Sequence, residues 1–146
     1  MSERHQAIAA AYLLLHNTEG ATLMLRRANS GYCDGQLGLP AGHVEEGESV
    51  VGGMVREARE ELGIDVDPAD LTFVHVRDRK ASDGHRLDFF FRCTRWQGEP
   101  VIMEPHKATE MRWVHDVLHE PDAIAYIQTT IECVQQGVTY STENWP

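Results

Sequence analysis

A chain of 146 residues with 13 Lys+Arg against 23 Asp+Glu, a net charge of −10, can bury one sizeable core. That charge argues against wrapping duplex DNA or coating an anionic membrane. Hydrophobic and charged fractions of 42% and 25% are those of a globular protein, and residues 1–146 are expected to form a single domain.

In chain order, Met1–Gln6 precedes an apolar run, Ala7–Leu15, that is too short to span a bilayer. It also lacks the basic start and small-residue cleavage site of an export signal, so a cytoplasmic protein is expected. The run reads as a buried strand closed by the turn-rich His16–Gly20, with Thr22–Arg26 as its hairpin partner. Ala28–Gly38 reads as a loop, and Leu39-Pro40-Ala41-Gly42 leads into an acidic segment. A helix is expected over Val50–Leu62, with Ser49 as N-cap and Gly63 as a left-handed C-terminal cap. Gly52-Gly53 inside its first turns costs about 1 kcal/mol per glycine relative to alanine, which close packing against a neighbouring loop would explain. Leu71–Arg77 and Leu87–Trp96 read as strands of a long hairpin, turning at Ala81–Gly84. Glu110–Val114 is a further short strand. Pro121 is expected to open a last helix with Ile124, Ile127, Ile131 and Val134 on its core face. Strands mixed with two helices predict an α/β fold, a mixed sheet with helices on both faces.

Cys33, Cys93 and Cys133 are odd in number, far apart, and form no CxxC pair or zinc spacing. Free thiols in a reducing compartment are expected.

The helix at Val50–Leu62 carries the chemistry. Each helical residue turns about 100°. Glu57, Glu60 and Glu61 therefore share an arc of roughly 100°, while Val51, Val55, Ala58 and Leu62 form the face expected to pack. Like charges at this spacing repel, and a hard divalent cation taking oxygen ligands would offset that repulsion. The plainer account is a solvated acidic face with Arg56 and Arg59 as neighbours.

The fixed positions decide between the two. Gly42, Glu48, Arg56-Glu57, Glu60-Glu61, Gly63 and Ile64 stand at the spacing of the signature box of the Nudix (MutT-type) hydrolases, which Gly42–Ile64 resembles at every defined position. Only Ala58 is small for its aliphatic slot. The resemblance implies an α/β/α sandwich, with the box helix on one face of the sheet and the C-terminal helix on the other. It implies hydrolysis of a nucleoside diphosphate linked to another group, with Mg²⁺ as cofactor and Mn²⁺ able to substitute. Glu57, Glu60, Glu61 and the Gly42 carbonyl would hold the metal. Glu57 or a carboxylate outside the box would act as general base. Arg56 and Glu48 would support these ligands through a bidentate pair, the alternative for Arg56 being direct phosphate contact.

Outside the box, Arg27 matches a position where relatives meet substrate phosphate, the alternative being a surface arginine. Glu104 is a candidate fourth metal-binding carboxylate, the alternative being a plain loop acid. Asp88 either reads a base edge or faces solvent. Tyr32, Phe89, Phe91, Trp113 and Trp145 are candidates to stack on a base, with packing the more ordinary role. The short chain favours a nucleoside triphosphate, (d)NTP, cleaved to (d)NMP and pyrophosphate. Dinucleoside polyphosphates or nucleotide sugars share the chemistry. A non-catalytic nucleotide-sensing module is a third option, though such a module is expected to show damaged box glutamates. The expected partner is a nucleotide, with no nucleic acid polymer and no membrane; monomer and homodimer both stay open.

Overall fold

The computed structural model describes residues 3–146. Eight strands run as β1 (Ile8–Leu15), β2 (Thr22–Arg27), β3 (Leu37–Gly38), β4 (Ala41–His43), β5 (Thr72–Ala81), β6 (Gly84–Cys93), β7 (Ala108–Val114) and β8 (Tyr140–Glu143). Helix α1 is Val50–Leu62 and α2 is Ala125–Gln135. The strands form a five-stranded sheet, β4-β1-β6-β5-β8, and a three-stranded sheet, β3-β2-β7. The larger sheet is mixed: β1 runs parallel to β6 and antiparallel to β4.

Strand alternation distributes the core. Ala11, Leu13 and Leu15 point from β1 to the side covered by Met54, Ala58 and Leu62 of α1. Leu14, one residue out of phase, points to the other side, where Ile127 and Ile131 of α2 pack with Phe90 and Val74. The box helix and the C-terminal helix thus cover opposite faces, as expected. On α1 the buried residues are Gly53, Met54, Ala58 and Leu62, whereas Val51 and Val55 are only half-buried. The packing face is rotated from the expected one toward Glu61, which has consequences for that carboxylate.

Several expectations need correction. Strand β2 is not the hairpin partner of β1: the two lie in different sheets, joined by an isolated bridge between His16 and Thr22. Both sides of β1 are occupied by β4 and β6, so its hydrogen bonds are spent before β2 arrives. The chain does turn at Asn17, whose side-chain oxygen accepts from the N–H groups of Glu19 and Ala21. The last helix starts at Ala125, not Pro121. Leu37 N–H donates to Asp122 O and Ile124 N–H to Leu37 O, drawing 122–124 into extended pairing beside β3. Within the expected loop 28–38, Leu37–Gly38 forms strand β3 against β2. The long hairpin is confirmed and tighter than expected, since Ala81 pairs with Gly84 across a two-residue turn. Strand β6 stops at Cys93, three residues short of the expected Trp96, and Gln97 beyond it bridges to Asp65. Strand β8, a parallel edge on β5, had no expected counterpart. All three cysteines are free, and no helix of the described residues is long and apolar enough to cross a membrane.

Candidate active site

Helix α1 is fixed at both ends. Ser49 Oγ accepts from Gly52 N–H at 2.9 Å, and Gly63 takes a left-handed φ of 68° while its N–H donates to Arg59 O. The loop after β6 supplies further partners: Val101 N–H donates to Leu62 O and Met103 N–H to Glu61 O. These bonds satisfy carbonyls that the helix end leaves open, and they bring Glu104 to the box. Gly53 has the expected cause, since a side chain there would meet Glu48 at 3.0 Å and Val44 at 3.4 Å, whereas one on Gly52 would meet only the capping Ser49 Oγ, at 3.1 Å.

Arg56 ties loop to helix. Its Nη2 and Nε donate to Glu48 at 2.8 and 3.1 Å, and Nη2 also donates to His43 O at 3.0 Å. Nη1 donates to Glu57 at 2.9 Å and Glu60 at 3.0 Å. One planar fork thereby fixes the loop acid, the strand carbonyl and two helix carboxylates. Arg56, followed by the Glu45 N–H, holds the Glu48 carboxyl below the usual range. The bidentate pair expected between Arg56 and Glu48 is present.

Gly42 lies against Glu57 so closely that an added Cβ would land on the Glu57 carboxyl group. Burial raises the Glu57 pKa, Arg56 opposes this, and the charges of Glu60 and Glu104 add to it. Glu61 lies on the half-buried flank of α1 and accepts from Ala41 N–H at 3.3 Å. Burial first, then the charge of Glu57, pushes its pKa up to about 8. Glu104 adds to this effect, while Lys107, 3.4 Å from Glu104, opposes it. Glu57 and Glu61 are therefore both held above the usual carboxylate range, with the charge of Glu104 contributing to each.

Among the described residues no three His, Cys, Asp or Glu side chains are grouped closely enough to form a metal cage. The donor set nevertheless fits a hard dication: all-oxygen, acidic, and electrostatically strained in a way that a dication among the carboxylates would relieve. Magnesium keeps several waters and needs few protein ligands, so no closed cage is required.

Glu57, Glu61, Glu104 and Gly42 all line one open cavity of about 770 Å³. Arg27 lines it too, with its Nε donating to Tyr32 O at 2.8 Å and its guanidinium 5.6 Å from the Tyr32 ring centre. Arg26 points elsewhere, to Glu110 and Asp122. Asp88 is not on the cavity wall. Its side chain is 0% exposed, which excludes the solvent-facing alternative, and it accepts from Arg79 Nε at 2.7 Å. Arg79 is what stands in the wall. Of the five aromatic candidates Tyr32 alone lines the cavity; Phe89, Phe91 and Trp113 pack in the core, and Trp145 lies against His85.

A comparison with protein families matches the NUDIX domain over residues 5–125. The chain belongs to the Nudix family. Its relatives include 8-oxo-dGTP diphosphatase of Escherichia coli, 30% identical over 60% of this chain and 66% of that protein. Another is a putative nudix hydrolase 1 of Caenorhabditis elegans, 31% identical over 92% of this chain and 36% of that protein. A third is the NAD-capped RNA hydrolase NudC of Stutzerimonas stutzeri, 31% identical over 67% of this chain and 33% of that protein. The chain thus spans between a third and two thirds of the length of these relatives. Among solved structures, a MutT protein of Methanosarcina mazei superposes with a TM-score of 0.78 at 24% identity, covering 92% of this chain and 97% of that one. The NUDIX domain of Shewanella oneidensis NrtR, complexed with ADP ribose, gives 0.69 at 18% identity over 91% and 90%.

Within this Nudix chain, Gly42, Glu57, Glu61, Arg27 and Glu104 converge on one cavity from four separate segments, whereas Glu48, Arg56 and Glu60 stand outside its lining, held to one another through Arg56. The residues missed from sequence are Arg79, Tyr12 and Tyr126, which line the same cavity. Arg79 lay beyond the expected end of its strand. The signal available for it was the alternation Arg77, Arg79 continuing toward the hairpin turn.

Proposed function

We propose that this chain is a Mg²⁺-dependent hydrolase of a nucleoside diphosphate linked to a further group, with (d)NTP cleaved to (d)NMP and pyrophosphate as its reaction. The observation that carries the reading is that one cavity is lined both by crowded carboxylates and by an arginine free of carboxylates. Glu57 and Glu61 are held above the usual carboxylate range beside Glu104, while Arg27, with no carboxylate partner among the described residues, faces the same space. Glu57, Glu60, Glu61, Glu104 and the Gly42 carbonyl are the groups that would hold the metal. Once bound, a dication neutralises phosphate oxygens and acidifies a water. Arg56 holds Glu57 and Glu60 in place, and Arg27 binds phosphate. Glu57, or Glu104 from outside the box, accepts the proton of the attacking water.

The test incubates purified protein with a panel of nucleoside triphosphates, dinucleoside polyphosphates and nucleotide sugars, with Mg²⁺ or with EDTA, resolving products by chromatography. Monophosphate and pyrophosphate are expected only with the metal, and Glu61→Gln is expected to cut turnover at least about 100-fold. Undiminished turnover in EDTA overturns the scheme. Cleavage confined to the dinucleotide or sugar arms moves the substrate to those classes.

A further inference from the structure

The reaction above leaves part of the cavity unexplained. Arg79 stands on β5, three strands away from Gly42 in the order β4-β1-β6-β5. Three strand spacings amount to about 14 Å. A phosphate chain at the glutamates does not bridge that distance, whereas a whole nucleotide extends across it.

Three arginines line the cavity: Arg86 is tied to Asp83 and His43, while Arg27 and Arg79 differ electrically. Arg27 makes no ion pair among the described residues and donates only to a backbone carbonyl. Arg79 is offset at contact by Asp88, which is sealed from solvent. Nε is the only Arg79 nitrogen with a protein acceptor among the described residues, so both Nη groups are left to the cavity that the side chain lines. A guanidinium already neutralised by a buried carboxylate is a poor phosphate site. It remains a rigid planar pair of donors, suited to a neutral edge carrying two acceptors. The surroundings are aromatic: the guanidinium carbon is 5.7 Å from the Tyr126 ring centre, and Tyr126 Oη donates to Tyr12 Oη at 3.0 Å. Tyr12, Tyr32 and Tyr126 all line this cavity, giving it an aromatic wall beside Arg79.

We infer that the Arg79–Asp88 pair reads the base of the substrate, the two Nη groups of Arg79 donating to adjacent acceptors on one edge of a purine, as guanine presents at O6 and N7. Adenine places an amino donor where guanine has O6, and meets one arm of the fork donor to donor. An 8-oxoguanine carries a hydrogen on N7 and meets the other arm in the same way. Unmodified guanine is therefore the preferred base. The inference rests on the nucleotide-hydrolase reading for its ligand class.

The experiment measures kcat/KM for dGTP, dATP and 8-oxo-dGTP with wild type, Arg79→Lys and Arg79→Gln. Equilibrium binding of GMP and AMP to wild type in EDTA is measured in parallel by calorimetry. Lysine keeps the charge beside Asp88 and loses the planar fork, so a base-reading role and a merely structural one separate. Wild type is expected to favour dGTP over each alternative by about tenfold or more. The folded variant is expected to bring those ratios toward one, and GMP is expected to bind more tightly than AMP. Wild type lacking a dGTP preference, or a folded variant retaining it, overturns the inference. Should both variants fail to fold, the wild-type ratios and the GMP–AMP comparison decide alone. Turnover without base preference overturns this inference and leaves the hydrolase reading standing. Tighter GMP binding without turnover of any nucleotide supports it and overturns that reading.

Discussion

Two residues show how closely this site depends on atoms rather than on composition. Gly42 is small because the Glu57 carboxyl occupies the place of its missing side chain. Gly42→Ala must displace Glu57, and the expected outcome is a loss of turnover of about 100-fold, with thermal stability changed far less; steady-state kinetics beside a thermal melt check this. Glu61 sits on the same helix as the exposed Glu60, yet its environment differs. The buried arc of α1 is formed by Met54, Ala58 and Leu62, and Glu61 borders it. Burial and the Glu57 charge lift its pKa from an ordinary 4.5 to about 8. Between those values the folded protein keeps a proton that the unfolded chain has lost. Stability in EDTA is therefore expected to fall as pH rises from about 4.5 to about 8, and Glu61→Gln is expected to flatten that slope. Denaturant titrations at a series of pH values read both. Glu48 behaves oppositely, since Arg56 lowers its pKa. Its contribution is present above the ordinary carboxylate range and is lost only on acidification.

At the scale of elements, the box is a loop and a helix joined by one guanidinium. Glu48, Glu57, Glu60 and the His43 carbonyl all accept from Arg56. Arg56→Lys keeps the charge but replaces a planar fork by a single point of donation. It is expected to reduce kcat by tenfold or more (~1.4 kcal/mol in the barrier). Substrate KM is expected to move much less, which steady-state kinetics separates. Ser49 at the N-cap tests the helix itself: Ser49→Ala is expected to cost about 1 kcal/mol of stability by denaturant titration, without altering nucleotide preference. These elements were legible because their signals are local. The helix bounds, its cap residue and the left-handed Gly63 follow from neighbours within a turn or two. The start of α2 was not legible: Ile124 and Asp122 are held by Leu37, far away in the chain, and that pairing outweighs what Pro121 signals locally.

For the molecule as a whole, the sequence by itself determined the family, the box helix with its three glutamates, the opposite placement of two helices and the acidic character of the site. All of these rest on spacing along the chain, which survives without coordinates. Tertiary structure decided that β1 and β2 enter different sheets, that Glu61 is the glutamate with the most strongly raised pKa, and that Arg79 rather than Asp88 lines the cavity. Strand partners and pKa values depend on what fills the space beside a residue, and those neighbours come from remote segments. A strand's alternation names two faces without saying which one a cavity will open onto. Only the stacking of β4, β1, β6 and β5 beneath the loops settles that.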